Sequence, residues 1–271
     1  MLLDAQPPQA AGDNRPPMNP EIYALLDTVL ETYWRYIARH ELFARWWSRY
    51  RQPSTTYRVL DVGCGTGNLL AYLAKRVPMA PAGIDLFPDT LPYCVQRGIG
   101  AVSAADATAL PFHDNMFDFV IAQDVVEHVE DDRLALQEMQ RVCAPGGMTL
   151  VLVPAFTFLW SARDVKLRHY RRYTLDQIAR RLQEAGFDLV HRTYTDLFLL
   201  PLLRAAIALA PRTPDGLADL EAEGTPGKSW LLNQALLTIS RLESVCAYHA
   251  YLPFGVSAVV LGRKAAERRV F

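Results

Sequence analysis

Between residues 58 and 153, short apolar runs alternate with segments whose apolar residues recur three and four positions apart. The runs are Arg58–Val62, Ala82–Asp85, Ala101–Ala105, Phe117–Ala122 and Met148–Val153, and their length and composition predict strands. Asn68–Val77, Asp89–Arg97 and Asp131–Cys143 separate them and predict helices. The second is closed by Gly98 and the third by Pro145, Gly146 and Gly147. Consecutive parallel strands need a crossover connection, so this rhythm predicts a mostly parallel sheet with helices on both faces.

Outside that region the rhythm changes. Residues 1–20 hold Pro7, Pro8, Pro16, Pro17 and Pro20 and are expected to be a disordered lead-in. Residues 21–50 predict a helix that begins with Ile22, Leu25, Leu26, Val29 and Leu30 and turns aromatic; Pro53 and Ser54 break it. Thr174–Ala185 predicts a helix with Thr174 as N-cap, Gln177 completing a capping box and Gly186 at its end. Leu189–Tyr194 predicts a sixth strand. Ala210–Lys228 reads as a Pro/Gly-rich acidic loop and Trp230–Cys246 as a helix. Val256–Leu261 predicts a last strand, antiparallel and at the sheet edge. The expected fold class is therefore α/β: a Rossmann-like, doubly wound, mostly parallel seven-stranded sheet with a helical lid or insertion near the C-terminus. Leu197–Ala210 is the most apolar stretch, but Pro201 and Arg204 interrupt it. It is shorter than the roughly 20 apolar residues a bilayer crossing needs. A buried or partly buried helix is expected there, with peripheral contact to a membrane surface as the alternative.

A net charge of −1 gives no basic excess, which argues against a nucleic-acid partner. Cys64, Cys94, Cys143 and Cys246 form no CxxC pair, so neither a zinc knuckle nor a disulfide framework is indicated, and unpaired thiols suit the cytoplasm. No basic stretch followed by an apolar run suggests a signal peptide. His40, His113, His191 and His249 show no metal-ligand spacing, and no catalytic metal is expected.

The strongest local signal is Val59-Leu60-Asp61-Val62-Gly63-Cys64-Gly65-Thr66-Gly67: a strand feeding a glycine turn that opens a helix. Its glycine spacing differs from the GxGxxG of dinucleotide sites, and no GxxxxGK[ST] is present, so it suits a ligand whose amino-acid portion lies over the turn. The second strand ends at Asp85-Leu86, where a carboxylate can accept from two ribose hydroxyls. The third ends at Asp106-Ala107 and the fourth runs into Gln123-Asp124-Val125-Val126-Glu127-His128. In doubly wound sheets ligands bind at these carboxyl ends.

As a set, VLDVGCGTG, GIDL, AADATALPF, FDFVIAQDVVEHVEDD and RVCAPGGMTLVLV resemble the successive motifs of the class I S-adenosylmethionine-dependent methyltransferases. The resemblance spans roughly residues 30–190. It implies S-adenosyl-L-methionine as cofactor, with Asp61, Gly63, Cys64 and Gly65 about its methionine part. Asp85 and Leu86 would then lie at the ribose, Asp106 and Ala107 at the adenine, and Gln123 near the sulfur. Glu31-Thr32-Tyr33-Trp34 and Arg39 are similar to the tryptophan-rich N-terminal helix of a bacterial small-molecule subgroup, with Arg35 in place of a second tryptophan. There Arg39 would reach the cofactor carboxylate.

The same resemblance makes 156–173 an acceptor-side loop and 196–250 a helical lid within one domain over 21–271. Trp160-Ser161-Ala162-Arg163-Asp164 and His169-Tyr170-Arg171-Arg172-Tyr173 form the expected acceptor wall, with His169 or Asp164 as proton acceptor. His128 is expected to fix the turn after the fourth strand. The acceptor implied is a small, apolar or aromatic metabolite. Alternatives are a protein, RNA or lipid-linked acceptor, or a cofactor-binding protein without transfer activity.

Overall fold

The computed structural model describes Asp27 and residues 31–50, 56–209 and 230–266. The expected lead-in and the Pro/Gly-rich acidic loop lie outside the described residues, as does most of 21–33. Seven strands form one sheet: β1 (Tyr57–Val62), β2 (Met79–Asp85), β3 (Ala101–Ala104), β4 (Phe117–Gln123), β5 (Cys143–Pro154), β6 (Phe187–Thr195) and β7 (Ser257–Lys264). Their order is β3-β2-β1-β4-β5-β7-β6. The first five are parallel, and β7 runs antiparallel to both β5 and β6.

The final strand is thus antiparallel as expected but interior rather than at the edge. Its run from Ser257 to Gly262 is buried at every position, as befits a strand paired on both sides and covered on both faces. A second boundary also moved. The helix after β4, α4 (Asp132–Val142), stops at once and β5 begins at Cys143, with an irregular register between Phe117 and Phe119. Gly147 sits in this entry, where a β-carbon would lie 2.7 Å from the Ala144 carbonyl oxygen.

Alternation along the strands divides the core in two. Leu60, Val62, Val120, Ala122, Val151 and Val260 face α4 and α6 (Leu175–Glu184) on one side. Val59, Phe119, Ile121, Leu150 and Val259 face α1 (Trp34–Tyr50) and α2 (Asn68–Ala74) on the other. Trp47 of α1 meets Phe119 edge-on, with ring centroids 4.4 Å apart. The α6 capping box forms as predicted: Gln177 Oε1 accepts from Thr174 N at 2.8 Å, and Thr174 Oγ1 accepts from Gln177 N at 3.3 Å.

The two remaining long helices are α7 (Leu199–Leu209) and α8 (Trp230–His249); α3 (Leu91–Gln96) and α5 (Ala162–Lys166) are short. α8 docks on α1 through Leu237 against Trp34 and Ala38 and through an Arg241–Glu41 pair at 2.6 Å. α7 is only partly buried: Leu199, Leu200 and Leu203 are half-covered, whereas Leu202 is 61% exposed. No described helix is long and apolar enough to cross a membrane.

Candidate active site

Three left-handed glycines shape the turn leaving β1, each for its own reason. Gly63 (φ 73°) passes so close to Val125 that a β-carbon would lie 2.3 Å from its Cγ2. Gly67 (φ 81°) abuts Ile99 and Cys94. Gly65 (φ 52°) faces open space, with nothing within 4 Å of where its β-carbon would stand. The turn is anchored from β2: Gly63 N and Cys64 N donate to the Ile84 carbonyl at 2.7 and 2.8 Å. Gly65 N donates to Asp85 Oδ2 at 2.8 Å, and Asp85 Oδ1 accepts from Phe87 N at 2.9 Å. Burial raises the Asp85 carboxyl, and these backbone donors partly offset it. Leu86 beside it is half-buried. The fold also joins two cysteines far apart in sequence, with Cys64 Sγ 3.9 Å from Cys94 Sγ. That partnership, together with burial, pushes the Cys64 thiol far up, so it is an inert packing group.

Asp61 lies at the tip of β1, 3% exposed. Burial, then the neighbouring Asp85, pushes its carboxyl up to about 8, and no hydrogen bond offsets the rise. Gln123 closes β4, one step beyond the Val62–Ala122 pair, and its buried Oε1 has no hydrogen-bond partner. An uncompensated buried acceptor is costly, which marks a place where a ligand donor belongs. Asp106 accepts from Thr108 N and Oγ1 through Oδ1 at 2.8 and 2.7 Å, which sets the turn after β3 and positions buried Ala107.

The carboxyl ends of β4 and β6 and the amino end of β7 are tied to α1 by ion pairs and hydrogen bonds. Arg39, 4% exposed, donates to Asp124 Oδ2 at 2.6 Å and Ser257 Oγ at 2.7 Å, and pairs with Asp196 at 3.4 Å. Arg35, one turn earlier, pairs with the same Asp196 at 2.9 Å. The arginine that replaces the subgroup's second tryptophan thus joins this network rather than a packed face. Burial works against Asp196 ionising, but Arg35 and Arg39 outweigh it and hold the carboxyl below its ordinary value. Asp124 and Asp196 both adopt positive φ (52° and 62°) directly after their strands. Arg39 is therefore engaged, and only its buried Nε lacks a partner. Further along the same segment, Asp27 accepts from Arg97 at 2.7 Å and from Asn68 at 3.1 Å, beside the glycine turn.

In the loop after β5, Asp164 is a hub. It accepts from Ser161 N and Oγ (2.8 and 3.1 Å), from Arg172 Nε and Nη2 (2.7 and 3.0 Å), and meets His169 Nδ1 at 2.8 Å. Burial would raise Asp164, but hydrogen bonds from His169 and Arg172 prevail and hold it well below the usual carboxylate range. A fully engaged, ionised carboxylate is a poor proton acceptor, so this geometry favours a positioning role for Asp164 over the expected base role. An ionised carboxylate accepts only, so His169 Nδ1 carries the hydrogen, and in the neutral ring the lone pair is on Nε2. His169 also stands edge-on to His128, with ring centroids 4.5 Å apart. The arginines are paired within the fold: Arg172 with Asp164, and Arg171 with Asp132 at 3.1 Å. Phe156 (φ 56°) stacks on Phe158 and Tyr194, with centroids 5.0 and 4.8 Å away.

Residues 60–151 match the family model described as a methyltransferase domain. Phosphoethanolamine N-methyltransferase from Triticum aestivum is 30% identical over 179 residues, 61% of this chain and 35% of that protein. Norajmaline N-methyltransferase from Rauvolfia serpentina is 34% identical over 112 residues, 38% of each chain. A solved structure of Haemonchus contortus phosphoethanolamine N-methyltransferase 2 with S-adenosyl-L-methionine superimposes with a TM-score of 0.60 at 17% identity, covering 91% of this chain and 57% of that one. Residues 60–151 thus match a methyltransferase domain, and the chain has the fold of a solved methyltransferase. It spans about a third of the length of the plant phosphoethanolamine enzymes it matches.

The residues present fit this family's cofactor. A sulfonium amino acid attached to adenosine needs an acceptor for its ammonium, a carboxylate at its sugar and room over the turn. Asp61, Asp85 and open Gly65 match these needs at the neighbouring carboxyl ends of β1 and β2. A cavity of about 540 Å³ lies at the opposite end of the sheet against Trp47, Tyr57 and Asp118. It is remote from these groups and is not part of the methyltransferase site. Sequence reasoning left Asp124, Asp196 and Glu127 without roles. Asp124 and Glu127 were within a recognised motif; Asp196 could have been found as a third acidic residue directly after a strand.

Proposed function

We propose that this chain transfers a methyl group from S-adenosylmethionine to a small-molecule acceptor. The observation that carries the reading is the unpartnered buried Gln123 Oε1 and the buried Asp61 carboxyl, at the carboxyl ends of adjacent β4 and β1 beside the open face of Gly65. When bound, the cofactor supplies a methyl group already activated by a positive sulfur. Asp61 takes its ammonium, Gly63, Cys64 and Gly65 the methionine backbone, Asp85 and Leu86 the ribose, and Asp106 and Ala107 the adenine. Gln123 lies toward the sulfur. His169 Nε2, held by Asp164, accepts the proton an amine or hydroxyl acceptor gives up. The remaining work is alignment of a lone pair with the methyl carbon.

The stacked Phe156, Phe158 and Tyr194 favour an acceptor with an apolar or aromatic face. The named relatives act on both a phosphorylated amine and an alkaloid, so acceptor class is a question for assay. A second reading, a lipid-linked acceptor reached at a membrane surface, is favoured by exposed Leu202, Trp230 and Leu231, at 61, 71 and 72%. Calorimetry with S-adenosylhomocysteine should show one binding site that Asp61→Ala and Gln123→Ala each weaken. Labelled-methyl transfer should then be assayed on phosphoethanolamine, norajmaline and lipid extracts. Absence of cofactor binding would defeat the proposal.

A further inference from the structure

Glu127, His128 and His169 come from two segments that the fold clamps together. Glu127 and His128 belong to a single turn after β4, and His169 belongs to the loop after β5. The Tyr170 N–H donates to the Glu127 carbonyl at 2.8 Å, which fixes one segment against the other. As a result, a carboxylate oxygen of Glu127 and one ring nitrogen from each histidine all lie within 4.8 Å of one another. Glu127 is 1% exposed, and its Oε2 has no hydrogen-bond partner.

We propose that Glu127, His128 and His169 form a binding site for a divalent transition-metal ion, with at least one coordination position left for water or an acceptor atom; the ion and an acceptor's proton then compete for the one lone pair on His169 Nε2. Three features argue for it. Two imidazoles and one carboxylate are the donor set of zinc and ferrous sites rather than of magnesium or calcium, which prefer oxygen throughout. His169 presents Nε2 as the donor because Asp164 takes its Nδ1–H, and metal-binding histidines commonly have such a carboxylate behind them. The orphaned Glu127 Oε2 gains the partner its burial otherwise denies it. Donor atoms about 2.0–2.2 Å from a tetrahedral zinc ion stand roughly 3.3–3.6 Å apart, so side-chain rotation must draw the cluster in from its 4.8 Å span to close on an ion. Nearby Arg172 does not repel the ion strongly, since Asp164 neutralises it. Histidine spacing along the chain gave no hint of the site, because no one segment holds the ligand set.

The site is tested without any methyl acceptor. The full chain, stripped of metal with a chelator, is titrated with cobalt(II) and the visible absorption recorded; zinc then displaces the cobalt. One saturating equivalent is expected. Glu127→Gln, His128→Ala and His169→Ala should each weaken cobalt binding by at least about tenfold. His113→Ala, at an exposed histidine elsewhere, should leave it unchanged. Near-ultraviolet circular dichroism checks that each variant is folded; if His169→Ala is not, the decision rests on the other two. No saturable cobalt spectrum, or affinity unchanged in the folded variants, overturns the proposal.

Discussion

Asp85 Oδ2 accepts the Gly65 N–H at 2.8 Å, so the carboxylate at the tip of β2 also holds the turn leaving β1. The two cofactor motifs are therefore one mechanical unit. On the proposed assignment, the carboxylate at the sugar also fixes the backbone beneath the methionine part.

Asp85→Ala is accordingly expected to lose stability as well as cofactor affinity. Two backbone donors, Gly65 N and Phe87 N, would lose their acceptor. The cost should be about 1–3 kcal/mol. Urea denaturation monitored beside calorimetry separates the effects. Wild-type stability with reduced affinity would show that the turn stands without Asp85.

The glycines should respond differently. Gly63→Ala puts a methyl group against Val125 at 2.3 Å and should destabilise the fold severely. Gly65→Ala meets no protein atom, so its stability cost should be only the left-handed backbone penalty of about 1–2 kcal/mol. Its added methyl group points into the space assigned to cofactor, so affinity should fall sharply. Comparing Tm and Kd for the pair checks this; equal losses of both would contradict the assignment.

Asp61 predicts a pH dependence. Its folded carboxyl is raised to about 8 against an ordinary value of 3.8. Between those limits the native state keeps a proton that the unfolded state has lost, so this group's contribution to stability falls as pH rises from about 4 to about 8. A bound ammonium favours the ionised form. Cofactor binding should then release a proton, and affinity should rise between about pH 5.5 and 7.5. Calorimetry in buffers of different ionisation heat counts that proton. Asp61→Asn should abolish the release, and a release that persists would locate it elsewhere.

Asp196→Asn should detach α1 from the sheet ends. It leaves Arg35 without its carboxylate partner and Arg39 with Asp124 alone, at a site where Asp196 is 5% exposed. Removing one partner of a buried ion pair typically costs about 3–5 kcal/mol. Hydrogen exchange should show loss of protection concentrated in residues 34–50. Uniform change across the sheet would argue for a different weak point.

Much of the fold was legible because its rules are local. Strand lengths, helix periods, the Thr174–Gln177 cap and the glycine turn are written in neighbouring residues, and five parallel strands follow from the crossover requirement. The ordered acidic strand tips, from which a cofactor side is proposed, are legible for the same reason. Tertiary structure alone decided what depends on which segments meet. β7 lies between β5 and β6, Arg35 and Arg39 share Asp196, and Asp164 spends its charge on Arg172 and His169. Glu127 finds two histidines across a loop. Periodicity records what each residue prefers around it. Pairing of charges and convergence of ligands are set by contacts between distant parts of the chain, which no local pattern encodes.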